Sequence, residues 1–256
     1  PANRAGRLAG EHAATGHSDA MPSVVGTAIV RVFDLAAGIT GLSLEQARRL
    51  NLPAKAVTVI QNHHVGYYPG AKPITLKLVY VDQDGGRILG AQAVGEAGVD
   101  KRIDVIATAM RFGGTVHDLA GVDLCYAPPY GSAKDAVHHA AFAACNELDG
   151  LIGIAPSDAD LAAYQVVDVR SDKEVQTAPL DDAPHTIHIP LDDLRERLGE
   201  LDPSRPTVVS CASGVRSYNA GRILKQQGFD TVLNLNGAAK MRNLACRAKN
   251  TAAQTA

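Results

Sequence analysis

The chain has 256 residues, room for one to three domains, and 46% of them are apolar, enough for ordinary cores. A net charge of -2 excludes the basic footprint of a nucleic-acid-binding domain, and no apolar run approaches the length of a membrane span. The four cysteines (Cys125, Cys145, Cys211, Cys246) are widely spaced with no CxxC or zinc pattern, so reduced thiols in the cytoplasm are expected and no metal site.

Residues 1–12 have helical spacing but little to bury, and a Gly/Ser/Asp/Pro loop follows from Gly16 to Gly26. Residues 28–33 read as a strand. Ser43 and Gln46 have capping-box spacing, which predicts a helix to about Leu50. Residues 57–60 and 74–81 are strands by β-branched content, separated by a Gly/Pro loop at 62–70. Asp84-Gly85-Gly86 marks a hairpin turn, and residues 87–94 complete the pair. Residues 99–112 carry apolar side chains at helical spacing, stopped by Gly113-Gly114, and 115–120 form a short helix. The prolines make 125–131 a loop, and Ser132 is placed to cap a helix running to about Leu148.

Residues 149–159 read as a linker. Beyond it, strands at 164–169, 207–209 and 231–235 alternate with helices at 191–198 and 216–227, a pattern for a parallel α/β sheet. Residues 246–256 lack an apolar pattern and are expected to be a disordered tail.

The stretch Ser210-Cys211-Ala212-Ser213-Gly214-Val215-Arg216-Ser217 lies between a β-branched run and a helix-patterned run. A thiolate is the reactive form of cysteine. Successive N–H groups of such a turn, and the positive end of the following helix, favour an anion there. Gly214 permits the tight curve, and Arg216 supplies a permanent charge or orients an anionic substrate. Taken alone, Cys211 would be a small hydrophobe ending a buried strand; the strand-Cys-Gly-Arg-helix context favours a sulfur-accepting nucleophile instead. Residues Ala212, Ser213, Gly214, Val215 and Arg216 are its candidate sulfur-binding loop.

With these motifs, residues 160–245 resemble a rhodanese-like domain. The matching elements are Asp168-Val169-Arg170, Glu174, His188-Ile189-Pro190-Leu191, Cys211 to Ser217, and Leu235-Asn236-Gly237. Related rhodanese-fold phosphatases carry five residues between cysteine and arginine where this chain has four, which argues for sulfur rather than phosphate as the transferred group. The segment 183–187 departs from the usual Gly-His-Ile.

Residues 1–148 resemble the C-terminal part of pyridine nucleotide-disulfide oxidoreductases, in the branch of coenzyme A-disulfide and persulfide reductases and NADH oxidases. The resemblance rests on Pro1 to Arg7, Gly26-Thr27, Val32-Phe33-Asp34, Thr40-Gly41-Leu42 and, most specifically, Tyr126 to Asp135. It implies an FAD-domain remnant at 1–36 and an α+β dimerisation domain at 37–148, hence an α+β domain followed by a parallel α/β domain. It further implies a homodimer in which Tyr68 (or the adjacent Tyr67) and Tyr126 reach a partner's coenzyme A site. FAD and NAD(P)H are the implied cofactors of an intact enzyme, and small sulfur compounds its substrates. The chain has no GxGxxG after a strand and is expected to be the C-terminal part of a longer protein that holds the flavin half. The competing expectation is a dimerisation and persulfide-sensing module without turnover. The pairs His63-His64 and His138-His139, and Tyr130, read as surface or interface groups.

Overall fold

A computed structural model describes residues 1–255. Helix α1 (Ala2–Thr15) buries none of its residues. The first domain is a five-stranded antiparallel sheet in the order β1-β2-β5-β4-β3, from β1 (Ala28–Val32), β2 (Leu35–Gly41), β3 (Ala54–Asn62), β4 (Pro73–Val81) and β5 (Ile88–Gly95). The central strand β4 alternates: Ile74, Leu76, Leu78 and Tyr80 are buried in the main core, while Val79 and Val81 join a smaller cluster on the opposite side. That main core is closed by α3 (Val99–Arg111) and α5 (Ala136–Leu148), through Ile103, Ile106, Val137, Ala140 and Ala144. Gly38 is required where β2 meets α3, since a Cβ there would lie 2.8 Å from Ile103. The smaller cluster packs beneath α2 (Leu44–Arg49), opened by the Ser43/Gln46 capping box as its spacing predicts. Asp84, Gly85 and Gly86 all have positive φ, as the hairpin turn requires. Helix α4 (Val116–Ala120) follows with its own capping box from Thr115 and Asp118.

The second domain is a parallel sheet in the order β6-β10-β9-β7-β8, from β6 (Gly153–Ala155), β7 (Gln165–Asp168), β8 (Thr186–His188), β9 (Thr207–Ser210) and β10 (Val232–Leu235). Its strands β7 and β9 are buried along their whole length, as central parallel strands are. Val167, Val209 and Cys211 pack with Ala220 and Leu224 of α7 (Val215–Gln226), while Val166, Val208 and Leu235 pack with Leu161 on the other side. Helix α6 (Asp172–Thr177) follows β7, and α8 (Ala238–Thr255) follows β10.

The two domains meet at the open edge of β3. Asn236 Oδ1 accepts from Thr58 N at 2.6 Å, and Asn236 Nδ2 donates to Ala56 O at 3.0 Å. One amide side chain thereby satisfies an unpaired strand edge. Arg222 Nη1 adds a bond to Leu151 O.

Several elements differ from the sequence expectations. The break expected at residue 36 falls inside β2. The expected linker contains β6, whose three residues are too few to show a period. Residues 191–198 form 3-10 turns rather than one helix. Asp135, not Ser132, caps α5, because its carboxylate accepts from Val137 N. The expected tail at 246–256 is helical through Thr255; Ala256 lies outside the described residues.

Candidate functional site

Strand β9 delivers Cys211 to the floor of a loop, and α7 begins immediately beyond it. The cysteine is fully buried, while the rim residues Ala212, Ser213, Gly214 and Arg216 are partly exposed and Val215 is exposed. Gly214 is the N-cap of α7 at φ 101°, a conformation that only glycine adopts at ease, and its N–H donates to Cys211 Sγ at 3.0 Å. Ser217, in the first turn of α7, lies 3.3 Å from Sγ, 2.6 Å from Asn234 Oδ1 and 3.1 Å from Gly214 O. Its single hydroxyl proton serves one of these acceptors at a time. Asn234 Nδ2 donates to Gly214 O at 3.2 Å and ties the loop to β10. Cys211 Sγ thus sits in a preformed loop facing the Gly214 N–H, with the Ser217 hydroxyl within reach.

Arg216 turns away from an open position to Glu174, donating from Nη1 to Oε2 at 2.8 Å and from Nη2 to Oε1 at 2.6 Å. These bonds hold the Glu174 carboxyl down to about 2. Of the two sequence expectations for Arg216, the permanent charge stays but its fork already grips a carboxylate. Glu174 is the third residue of α6 in a capping box with Ser171. The Ser171-Asp172-Lys173-Glu174 spacing carried that signal in the sequence. Asp168 and Arg170 form a buried bidentate pair at the end of β7, with Nη2 to Oδ2 at 2.6 Å, and Arg170 Nη1 holds Ala178 O. His188 Nε2 donates to Arg170 O at 2.8 Å. This network fixes the β7–α6 turn and hence the place of Glu174. Ser217 and Asn234 were missed by sequence reasoning; only the position of Ser217 one residue after Arg216 hinted at its role.

The loop rim opens onto a cavity of about 420 Å³ between the domains, lined by Ser213, Gly214 and Val215 on one side and by His139, Phe142 and Cys145 of α5 on the other. Burial pushes the Cys145 thiol up and lowers the His139 imidazole.

In the first domain the two tyrosine loops are brought together. Val65 N donates to Gly131 O at 3.1 Å. Beneath them lies Arg102, which reaches Asp135 Oδ2 at 2.5 Å, His63 O at 2.6 Å and Gly98 O at 3.1 Å. Tyr126 lies beside Tyr67, and that neighbour raises the Tyr126 phenol above its usual range. Tyr68 instead packs edge-on against His64 at 5.5 Å. His63 accepts from Lys72 N, and His138 accepts from Asp135 N and donates to Val122 O. Among the described residues, no three potential metal ligands come together. No helix among them is long and apolar enough to cross a membrane.

Among the described residues, no strand-to-helix turn carries the glycine-rich dinucleotide fingerprint. The first sheet is antiparallel throughout, and the strand-to-helix turns of the second carry Arg170-Ser171, Cys211 to Gly214 and Asn236-Gly237 rather than a glycine-rich fingerprint.

Comparison with known proteins places these features. Coenzyme A disulfide reductase of Staphylococcus epidermidis is 36% identical over 137 residues, 54% of this chain and 31% of that protein. The crystal structure of reduced CoADR-RHD from Bacillus anthracis superposes with a TM-score of 0.90 at 39% identity, covering 97% of this chain and 44% of that one. An NAD-dependent persulfide reductase from A. fulgidus gives 0.81 at 39% identity, covering 90% and 41%. The chain therefore spans less than half the length of each of these relatives. Residues 27–138 match the dimerisation domain of the pyridine nucleotide-disulphide oxidoreductases, and residues 155–240 match the rhodanese-like domain. The chain thus carries a pyridine nucleotide-disulphide oxidoreductase dimerisation domain followed by a rhodanese-like domain.

Proposed function

We propose that this chain is the dimerising and sulfur-carrying part of an FAD-dependent NAD(P)H reductase of coenzyme A disulfide, persulfide or polysulfide, with Cys211 as the sulfur carrier. The observation that carries this is the Cys211 cradle, where a buried sulfur accepts the Gly214 N–H beneath the N-terminus of α7. A fixed N–H donor at a helix N-terminus stabilises a thiolate without reorganising during transfer. The names of the relatives, a coenzyme A disulfide reductase and a persulfide reductase, support the substrate class. Flavin and nicotinamide, held by residues outside this chain, would supply the reducing electrons.

The dimerisation domain supports self-association, and in a dimer the exposed Tyr68 (or the adjacent Tyr67) and Tyr126 would face the partner's substrate site. A phenol there donates a hydrogen bond to a departing coenzyme A thiolate. Replacing Cys211 by serine is expected to abolish sulfur transfer from polysulfide to cyanide; transfer retained in that variant contradicts the assignment.

A further inference from the structure

A loop of this kind holds an anion by two means, its inward N–H groups and its arginine. Here the arginine is engaged. Both terminal nitrogens of Arg216 donate to Glu174. Glu174 is itself anchored, because Ser171 N and Ser171 Oγ donate to its Oε2 at 3.0 and 2.9 Å. The other arginine of the site, Arg170, is paired with buried Asp168. The oxygens of an oxyanion donor entering the loop would meet a carboxylate already seated on the guanidinium, beside the Cys211 thiolate. A donor whose outer sulfur bears no oxygens, as in a persulfide or polysulfide, does not need that fork and can use the Gly214 N–H alone.

We propose that Glu174 sets the donor specificity of the loop: by occupying Arg216 it excludes small oxyanion donors such as thiosulfate and admits organic persulfides and polysulfides. This rests on the sulfur-transfer reading of Cys211. In the transfer, the Cys211 thiolate attacks the outer sulfur of R–S–SH. A new S–S bond forms as the old one breaks, the electron pair leaves with R–S⁻, and Cys211 ends as Cys211–S–SH. No external oxidant or reductant is needed. Glu174 acts through Arg216 and is a positioning residue.

The test assays the full chain with glutathione persulfide and with thiosulfate, cyanide being the acceptor, before and after Glu174→Gln. The substitution is expected to raise kcat/KM for thiosulfate about tenfold or more while persulfide changes less than about threefold. A folded variant with thiosulfate turnover unchanged or lower overturns the proposal. The unmodified chain gives a second measurement that does not depend on the variant folding. Sulfate at about 10 mM should leave persulfide turnover unaffected, and competitive inhibition below about 1 mM overturns the proposal. Should the unmodified chain transfer sulfur from neither donor, the sulfur-transfer reading fails instead. Sulfate binding by calorimetry then still decides the role of Glu174: tighter binding to Glu174→Gln upholds it, and equal binding overturns it.

Discussion

Two bonds from Arg216 and two from Ser171 converge on the carboxylate of Glu174. Its folded value of about 2 lies below its ordinary 4.5, so it contributes stability above 4.5 that is lost as pH falls toward 2. Acid titration followed by circular dichroism should show the second domain losing stability through that window more steeply than in Glu174→Gln; superimposable profiles contradict this account of the pair. In a protein with the proposed reductase activity, Tyr126→Phe and Tyr68→Phe (or Tyr67→Phe, if that neighbour is the one that reaches the site) should each lower turnover about tenfold, the value of a hydrogen bond to a charged group. Unchanged turnover in all of these variants would contradict the assignment.

At the scale of elements, the N-terminus of α5 is the most heavily committed position in the first domain. Asp135 caps the helix and neutralises Arg102, and both side chains are almost fully buried. Asp135→Ala should destabilise the chain by about 3–5 kcal/mol, because it leaves a buried guanidinium unpaired. Denaturant unfolding measures this; a loss below about 1 kcal/mol would mean that Arg102 finds other partners. Local signals were legible in the sequence. The capping box at Ser43, the Asp84-Gly85-Gly86 turn and the Cys211–Arg216 spacing each depend on residues a few positions apart. Strands β6 and β8 were not legible, since three residues at a sheet edge carry neither length nor alternation. Helix α8 was missed because its Ala-rich run has helix propensity without a strong apolar stripe. The partner of Arg216 lies 42 positions away and that of Asn236 lies 178 away, separations that no local pattern encodes.

Across the whole molecule, Asn236 and the β3 edge set how the Cys211 loop faces the first domain. Asn236→Ala removes two bonds between the domains and should weaken docking by about 1–3 kcal/mol, seen in calorimetry as a single transition resolving into two. One unchanged transition would place the coupling elsewhere. Sedimentation at micromolar concentration should show a dimer, and a monomer would contradict self-association of this chain. The central claim, that Cys211 carries sulfane sulfur, is tested most directly by mass spectrometry of the chain after exposure to polysulfide and digestion. One added sulfur atom is expected on the peptide containing Cys211, removed by cyanide and absent in Cys211→Ser. Sulfur found on Cys125, Cys145 or Cys246 with Cys211 unmodified would contradict it.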